Sequence, residues 1–144
     1  LGGAISLKTS SEGTSVYLYL PLRKPRILLV DDDQAMLDLC RKRLGNLDVE
    51  IVETCDGAEA LKIIGGDSLD LVVSDIMMPG VDGFQILEST RNNVKTSGLP
   101  IIIITGEDGD EVRQKAFAMG ASDFLHKQGS GAELLNMVKK RIYK

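Results

Sequence analysis

Four short stretches hold the residues able to do chemistry: Asp31-Asp32-Asp33, Asp75, Thr105 and Lys127. Each stands at the carboxyl end of an apolar run, after ILLV at 27–30, LVVS at 71–74, within IIIIT at 101–105, and after DFLH at 123–126. Three carboxylates gathered in one place repel each other, and a hard divalent cation such as Mg²⁺ or Mn²⁺ relieves that conflict by taking oxygen ligands. Lys127 would add a point charge and Thr105 a hydroxyl donor. Metal, ammonium and hydroxyl together suit a phosphoryl group in transfer, whose charge sits on its equatorial oxygens. One carboxylate must then be the nucleophile. Asp75 is the better candidate because it stands alone after its run, while Asp31 and Asp32 are better placed to hold the metal. Singly, each residue has an ordinary reading: a helix cap, a turn residue, a strand end, a solvated lysine. Their joint placement on four successive strand ends is what argues for a site.

Chemistry of this kind needs a scaffold that brings strand ends together. From Arg26 onward, short apolar runs alternate with amphipathic, helix-length stretches. Runs at 27–30, 49–52, 69–73, 101–105 and 123–125 suit strands buried on both faces of a parallel sheet. Asp56-Gly-Ala-Glu59, Asp108-Gly-Asp-Glu111 and Ser130-Gly-Ala-Glu133 have capping-box spacing. Met36, Cys40 and Leu44 share one helical face, as do Leu135, Val138 and Ile142, and Gly120 is placed to end a helix. The expected unit is a five-fold βα repeat, an open α/β sheet in which ligands bind beyond the carboxyl ends of the strands, where strand order reverses.

Residues 1–24 read differently. Ile5 and Leu7, then Val16, Leu18 and Leu20, alternate on either side of the turn-rich SSEGTS, which predicts a β-hairpin with one apolar face. Pro21, Lys24 and Pro25 mark the boundary, so the chain divides into 1–24 and 25–144. Two strands alone are marginal in water. The apolar face is therefore expected to pack on the body, or on a second copy of the chain by strand addition or exchange, giving a homodimer.

Bulk composition excludes other classes. The chain of 144 residues is 43% hydrophobic and 26% charged, the balance of a globular domain. No apolar run reaches membrane-spanning length and no secretory signal opens the chain, so a cytoplasmic location is expected, with any membrane anchor in the parent protein. Net charge is −4, and residues 1–24 carry Lys8, Arg23 and Lys24 against Glu12, leaving the body more acidic still. That argues against nucleic-acid binding by this chain. Cys40 and Cys55 are expected to be buried free thiols, and the single His126 a surface residue.

ILLVDDDQAM, DLVVSDIMMPGVDGF, IIIITGED and ASDFLHK, in that order, resemble the receiver domains of two-component response regulators over roughly residues 25–144. The resemblance implies a flavodoxin-like (βα)5 three-layer sandwich with strand order 2-1-3-4-5, here with an extra N-terminal β-hairpin. It implies Asp75 as phosphoacceptor, Asp31 and Asp32 as the acidic metal pair, and the backbone carbonyl of Met77 as a further ligand to Mg²⁺. Thr105 matches the switch hydroxyl, Lys127 the phosphate-binding lysine and Phe124 the switch aromatic, and the fourth helix, fifth strand and fifth helix would form the switch surface. A histidine kinase or histidine phosphotransfer domain would be the phosphodonor or acceptor partner. One position departs from the pattern: the lysine is usually followed by proline, and here by Gln128. Because a cis bond before a residue other than proline costs ~2.5–4 kcal/mol, Lys127–Gln128 is expected to be trans.

LGGAISLKTSSEGTSVYLYLPL resembles the end of a histidine-kinase ATP-binding domain, through Gly2, Gly3, Ile5, Gly13, Thr14, Pro21 and Leu22. The nucleotide-binding motifs of such a domain would lie upstream, so this chain would not bind ATP alone. The order implies a fragment of a hybrid sensor histidine kinase, a phosphotransferase working in a phosphorelay. The alternative is the receiver of a separate response regulator whose output domain lies elsewhere. A flavin-binding module of the same fold is disfavoured, because three aspartates would repel the FMN phosphate.

Overall fold

The computed structural model describes residues 4–19, 23–107, 109–129 and 131–143. β1 (Ala4–Ser10) and β2 (Gly13–Tyr19) pair as an antiparallel hairpin. Its register sets Ile5 opposite Leu18 and Leu7 opposite Val16, the pairing that the alternation predicts. The Ser10 hydroxyl accepts the N–H of Glu12 at 3.3 Å inside the two-residue turn. The expected packing of Ile5, Leu7, Val16, Leu18 and Leu20 lies outside the described residues.

The remainder is a five-stranded parallel sheet with helices on both faces. In chain order it runs β3 (Arg26–Val30), α1 (Gln34–Arg43), β4 (Glu50–Thr54), α2 (Gly57–Gly66), β5 (Leu71–Ser74), α3 (Gly83–Asn92), β6 (Ile101–Thr105), α4 (Asp110–Ala118), β7 (Asp123–His126) and α5 (Gly131–Ile142). The sheet order is β4-β3-β5-β6-β7, which is the expected 2-1-3-4-5 counted from Arg26. Successive strand residues point to opposite faces, and both faces are covered. Ile27, Leu29, Val73, Ile102 and Ile104 pack toward α1 and α5 with Met36, Cys40, Leu44, Leu134 and Val138. Leu28, Val30, Val72, Ile101 and Ile103 pack on the other side with Ala60, Ile64, Ile86, Leu87 and Ala116. This double burial is why the runs are continuous rather than alternating.

Local signals set the ends of the helices. Asp33 caps α1 by accepting the N–H of Ala35 at 3.0 Å, and Arg41, Lys42 and Arg43 fill its last turn, where the helix dipole favours cations. Asp82 and Gln85 form a full capping box on α3 that the sequence reading did not single out. α4 ends in a Schellman motif: Gly120, at φ +105°, donates to Phe117 O while Ala121 donates to Ala116 O.

Several expectations need correction. Asp56 caps α2 through the N–H of Ala58, but Glu59 does not complete a box, because its carboxylate accepts from the Thr54 hydroxyl at 2.9 Å. Asp108 and Ser130 lie outside the described residues, and Gly109 precedes α4 with no side-chain cap. On α5 the buried positions are Leu134 and Val138, with Leu135 and Ile142 only partly covered. Cys55 is exposed, because it follows β4 at the edge of the sheet; Cys40 is buried, which pushes its thiol up to about 11. His126 is half-buried rather than a surface residue, because it ends β7 beneath the turn leading to α5.

Arg23, Lys24 and Arg26 straddle the amino ends of the strands. The Arg23 guanidinium stands 3.2 Å from Asp70, Lys24 Nζ 3.1 Å from Asp48, and Arg26 Nε 3.2 Å from Glu50. Two residues assigned to the N-terminal segment by sequence thus hold on to the body. No helix among the described residues is long and apolar enough to cross a membrane.

Candidate functional site

The central strands deliver their carboxylates to one crevice. β3 pairs with β5 in parallel, and the ladder continues beyond it through the Asp75 N–H to Val30 O at 2.9 Å. Asp31 and Asp75 therefore leave adjacent strands side by side, each only 3% exposed. Asp32 is exposed at the rim. Carboxylate oxygens of Asp31, Asp32 and Asp75 lie within 4.8 Å of one another.

Lys127 reaches into this group from the end of β7. Its Nζ donates to Asp75 Oδ2 at 2.9 Å and stands 2.9 Å from Asp31 Oδ2. Its own N–H donates to Thr105 O at 2.8 Å, which fixes the base of the side chain against β6. Burial acts to lower the lysine's pKa, but the hydrogen bonds and charges of Asp31 and Asp75 outweigh it and hold the ammonium above its usual range. Asp31 is pushed above the usual carboxylate range, chiefly by burial, with the charge of Asp75 adding and the Asp33 N–H and Lys127 partly offsetting.

Three carboxylates against one ammonium leave two negative charges uncompensated in a part-buried crevice. The donor set is all oxygen and its Asp31 is reluctant to ionise, so the residues present fit a hard divalent cation. Of the remaining residues expected here, Met77 sits in the loop after Asp75 and is 58% exposed. Thr105 is fully buried at the end of β6, and its hydroxyl accepts the Glu107 N–H at 3.2 Å. Phe124 is half-buried on β7 and packs against the cluster on the α2–α4 side. With Glu107, Arg113, His126 and Met137 it lines a hollow of about 510 Å³ between α4 and α5.

Other residues shape the site without being foreseen. Ile76 N–H donates to Asp75 Oδ1 at 2.7 Å, and the Ser74 hydroxyl donates to Asp75 O at 2.8 Å. Together they hold one carboxylate oxygen and the carbonyl in place. Gly83 donates to Ile76 O at 2.9 Å, and a Cβ on it would overlap Asp75 O. A Cβ on Gly57 would overlap Val81 O in the same loop. Both glycines follow a capping aspartate, and that Asp-Gly signal was available in the sequence. The Lys127–Gln128 bond is trans, as expected: no cis peptide bond occurs among the described residues.

The response regulator receiver domain is the family whose model matches, over residues 27–139. Response regulator PleD of Caulobacter vibrioides is 37% identical over 102 residues, 71% of this chain and 22% of that protein. Response regulator MprA of Mycolicibacterium vanbaalenii is 37% identical over 110 residues, 76% of this chain and 47% of that protein. The chain thus spans less than half the length of either relative. Among solved structures, a CheY-like response regulator receiver domain protein from Methanospirillum hungatei superposes with a TM-score of 0.76 at 28% identity, covering 83% of this chain and 94% of that one.

Proposed function

The chain belongs to the response regulator receiver family, and from that premise we propose that Asp75 is the phosphoacceptor of a two-component phosphorelay, served by Asp31, Asp32, Thr105 and Lys127. The observation that carries this reading is the convergence of three carboxylates within 4.8 Å around an ammonium 2.9 Å from two of them.

A carboxylate oxygen of Asp75 attacks phosphorus. A P–O bond forms, the P–N bond to the donor imidazole breaks, and the imidazole nitrogen leaves with the electron pair. Lys127 follows the transferred group, moving its ammonium from the free carboxylate to a phosphoryl oxygen. The Thr105 hydroxyl donates to a second phosphoryl oxygen, and Phe124 repacks as Thr105 moves, changing the face formed by α4, β7 and α5. Asp31, Asp32, Asp75 and the Met77 carbonyl would hold Mg²⁺, which supplies charge neutralisation for the phosphoryl oxygens. The donor is a histidine kinase or a histidine phosphotransfer domain.

Incubation with acetyl phosphate and Mg²⁺ should add one phosphoryl group by intact mass, and Asp75→Asn should gain none at a comparable rate. Equal labelling of the variant overturns the assignment.

We infer further that residues 1–24 are the end of a kinase ATP-binding domain and that the parent is a hybrid sensor histidine kinase. The Gly2-Gly3-Ile5 and Gly13-Thr14 pattern supports this, as does the in-register hairpin. The sequence of the parent gene decides it: an upstream dimerisation helix with a phosphorylatable histidine supports the inference, and a downstream DNA-binding domain on a chain without one overturns it.

A further inference from the structure

We propose that His126 is a positioning residue for Lys127, closing with its ring nitrogen the turn that aims the ammonium at Asp31 and Asp75. The proposal rests on the reading of Lys127 as the group that meets the phosphoryl oxygens.

Among the described residues, the base of Lys127 is held by the hydrogen bond from its N–H to Thr105 O. The chain after it must turn at once, because α5 begins at Gly131. Among the described residues two bonds close that turn, and both end on His126. The Gly129 N–H donates to His126 O at 2.8 Å, and the Gln128 N–H donates to His126 Nδ1 at 3.2 Å. The first is the i to i+3 bond of a β-turn. The second is an imidazole version of the Asx turn, in which a side-chain acceptor takes the N–H two residues on. Proline, the residue that the resemblance places after this lysine, has no N–H to give. With Gln128 in its place, a donor is present and His126 supplies the acceptor.

Two further observations bear on the ring. Accepting at Nδ1 requires the proton on Nε2, and His126 Nε2 is buried with no partner among the described residues. The ring's polar tie among those residues is thus the bond to Gln128. At Gly129 an added Cβ would stand 2.9 Å from His126 O, so the turn is packed tightly enough for a glycine to be required. A side chain of the right size with no acceptor would fill the same space but surrender the Gln128 N–H to water, so nothing would tie the turn to the ring.

The experiment separates ring shape from acceptor, in the full chain with Mg²⁺. H126N keeps an acceptor at the right distance and loses the ring; H126F keeps the ring and loses the acceptor. Two signals are followed: the rate of labelling by acetyl phosphate, and the ¹H–¹⁵N signal of the Lys127 ammonium, which persists only when the group is held. H126N should label within about twofold of the wild type and keep the ammonium signal. H126F should label about tenfold more slowly, the effect of one lost hydrogen bond, and lose that signal, with its far-UV spectrum unchanged. If H126F matches the wild type in both signals, or H126N is as impaired as H126F, the proposal is wrong. If the wild type takes no phosphoryl group, the receiver reading fails, and the ammonium signal still decides the role of His126.

Discussion

Gly83 lies with its bare Cα against the carbonyl of Asp75, so closely that a Cβ there would overlap the oxygen. The start of α3 is thereby pressed onto the backbone that carries the candidate nucleophile. Gly83→Ala must push the loop after β5 outward. We expect a loss of ~1–3 kcal/mol, as for other overpacked sites, read by urea unfolding, together with slower labelling by acetyl phosphate. A variant with unchanged stability and rate would show that the contact relaxes freely.

Mg²⁺ should raise the melting temperature by mass action, and the gain should shrink as the solution is acidified. Asp31 is held above its ordinary value of 3.8, so the folded state binds this proton more tightly than the unfolded chain. Its ionisation therefore costs stability as pH rises past that value, and a cation restores it. Asp31→Asn should accordingly melt higher than the wild type in EDTA at pH 7.5, by roughly 3–5 °C for about 1 kcal/mol. It should also respond less to Mg²⁺. Identical curves with Mg²⁺ and with EDTA at millimolar levels would argue against the metal site.

Lys127→Ala leaves Asp31 and Asp75 facing each other without a counter-ion. In EDTA it should cost roughly 2–4 kcal/mol, less than a fully buried pair because the side chain keeps some contact with water. Mg²⁺ should stabilise this variant more than the wild type, since the crevice then holds one more uncompensated charge. The lysine's raised value sets the pH window: its contribution is fully present below 10.5 and is lost as pH climbs through the folded value above that. A stability difference between the two proteins that already vanishes at pH 8 would contradict this.

Arg91 joins three stretches of backbone, donating from Nε to Gly120 O at 2.9 Å and from Nη1 to Ser97 O and Leu99 O. A Cβ at Gly120 would collide with the Arg91 side chain as well as sit at a positive φ. Gly120→Ala should therefore cost less in an Arg91→Ala background than in the wild type. The double-mutant cycle should give a coupling of about 0.5–3 kcal/mol; strict additivity would mean that only the backbone angle matters.

Strand order and site were legible because both rest on pattern. Continuous runs such as Ile101–Ile104 announce strands covered on both faces, and acids at the ends of adjacent strands must meet. What escaped were features set by distant partners. The Asp-Gly pairs at Gly57 and Gly83 mark helix starts, but they do not say which distant backbone, Val81 O or Asp75 O, will approach. Cys55 follows an apolar run and reads as buried, yet β4 is an edge strand and its last turn faces water. Asp82 and Gln85 were readable as a capping box, but Asp82 lay inside the stretch whose aspartate and methionine drew the chemical reading. His126 looks polar and peripheral by type, and only the turn after β7 gives its ring a partner.

Arg23, Lys24 and Arg26 meet their acids at the amino ends of the strands, and β3 is five residues long, so roughly 16 Å of extended chain separates this collar from Asp31. Among the described side chains, neither core cluster includes a residue before Ile27. Arg23 and Lys24 are thus tied to the body by charge at one pole, while the candidate acceptor Asp75 stands at the other. The grip of this collar should therefore loosen as ionic strength rises, while the oily interior stays indifferent to salt.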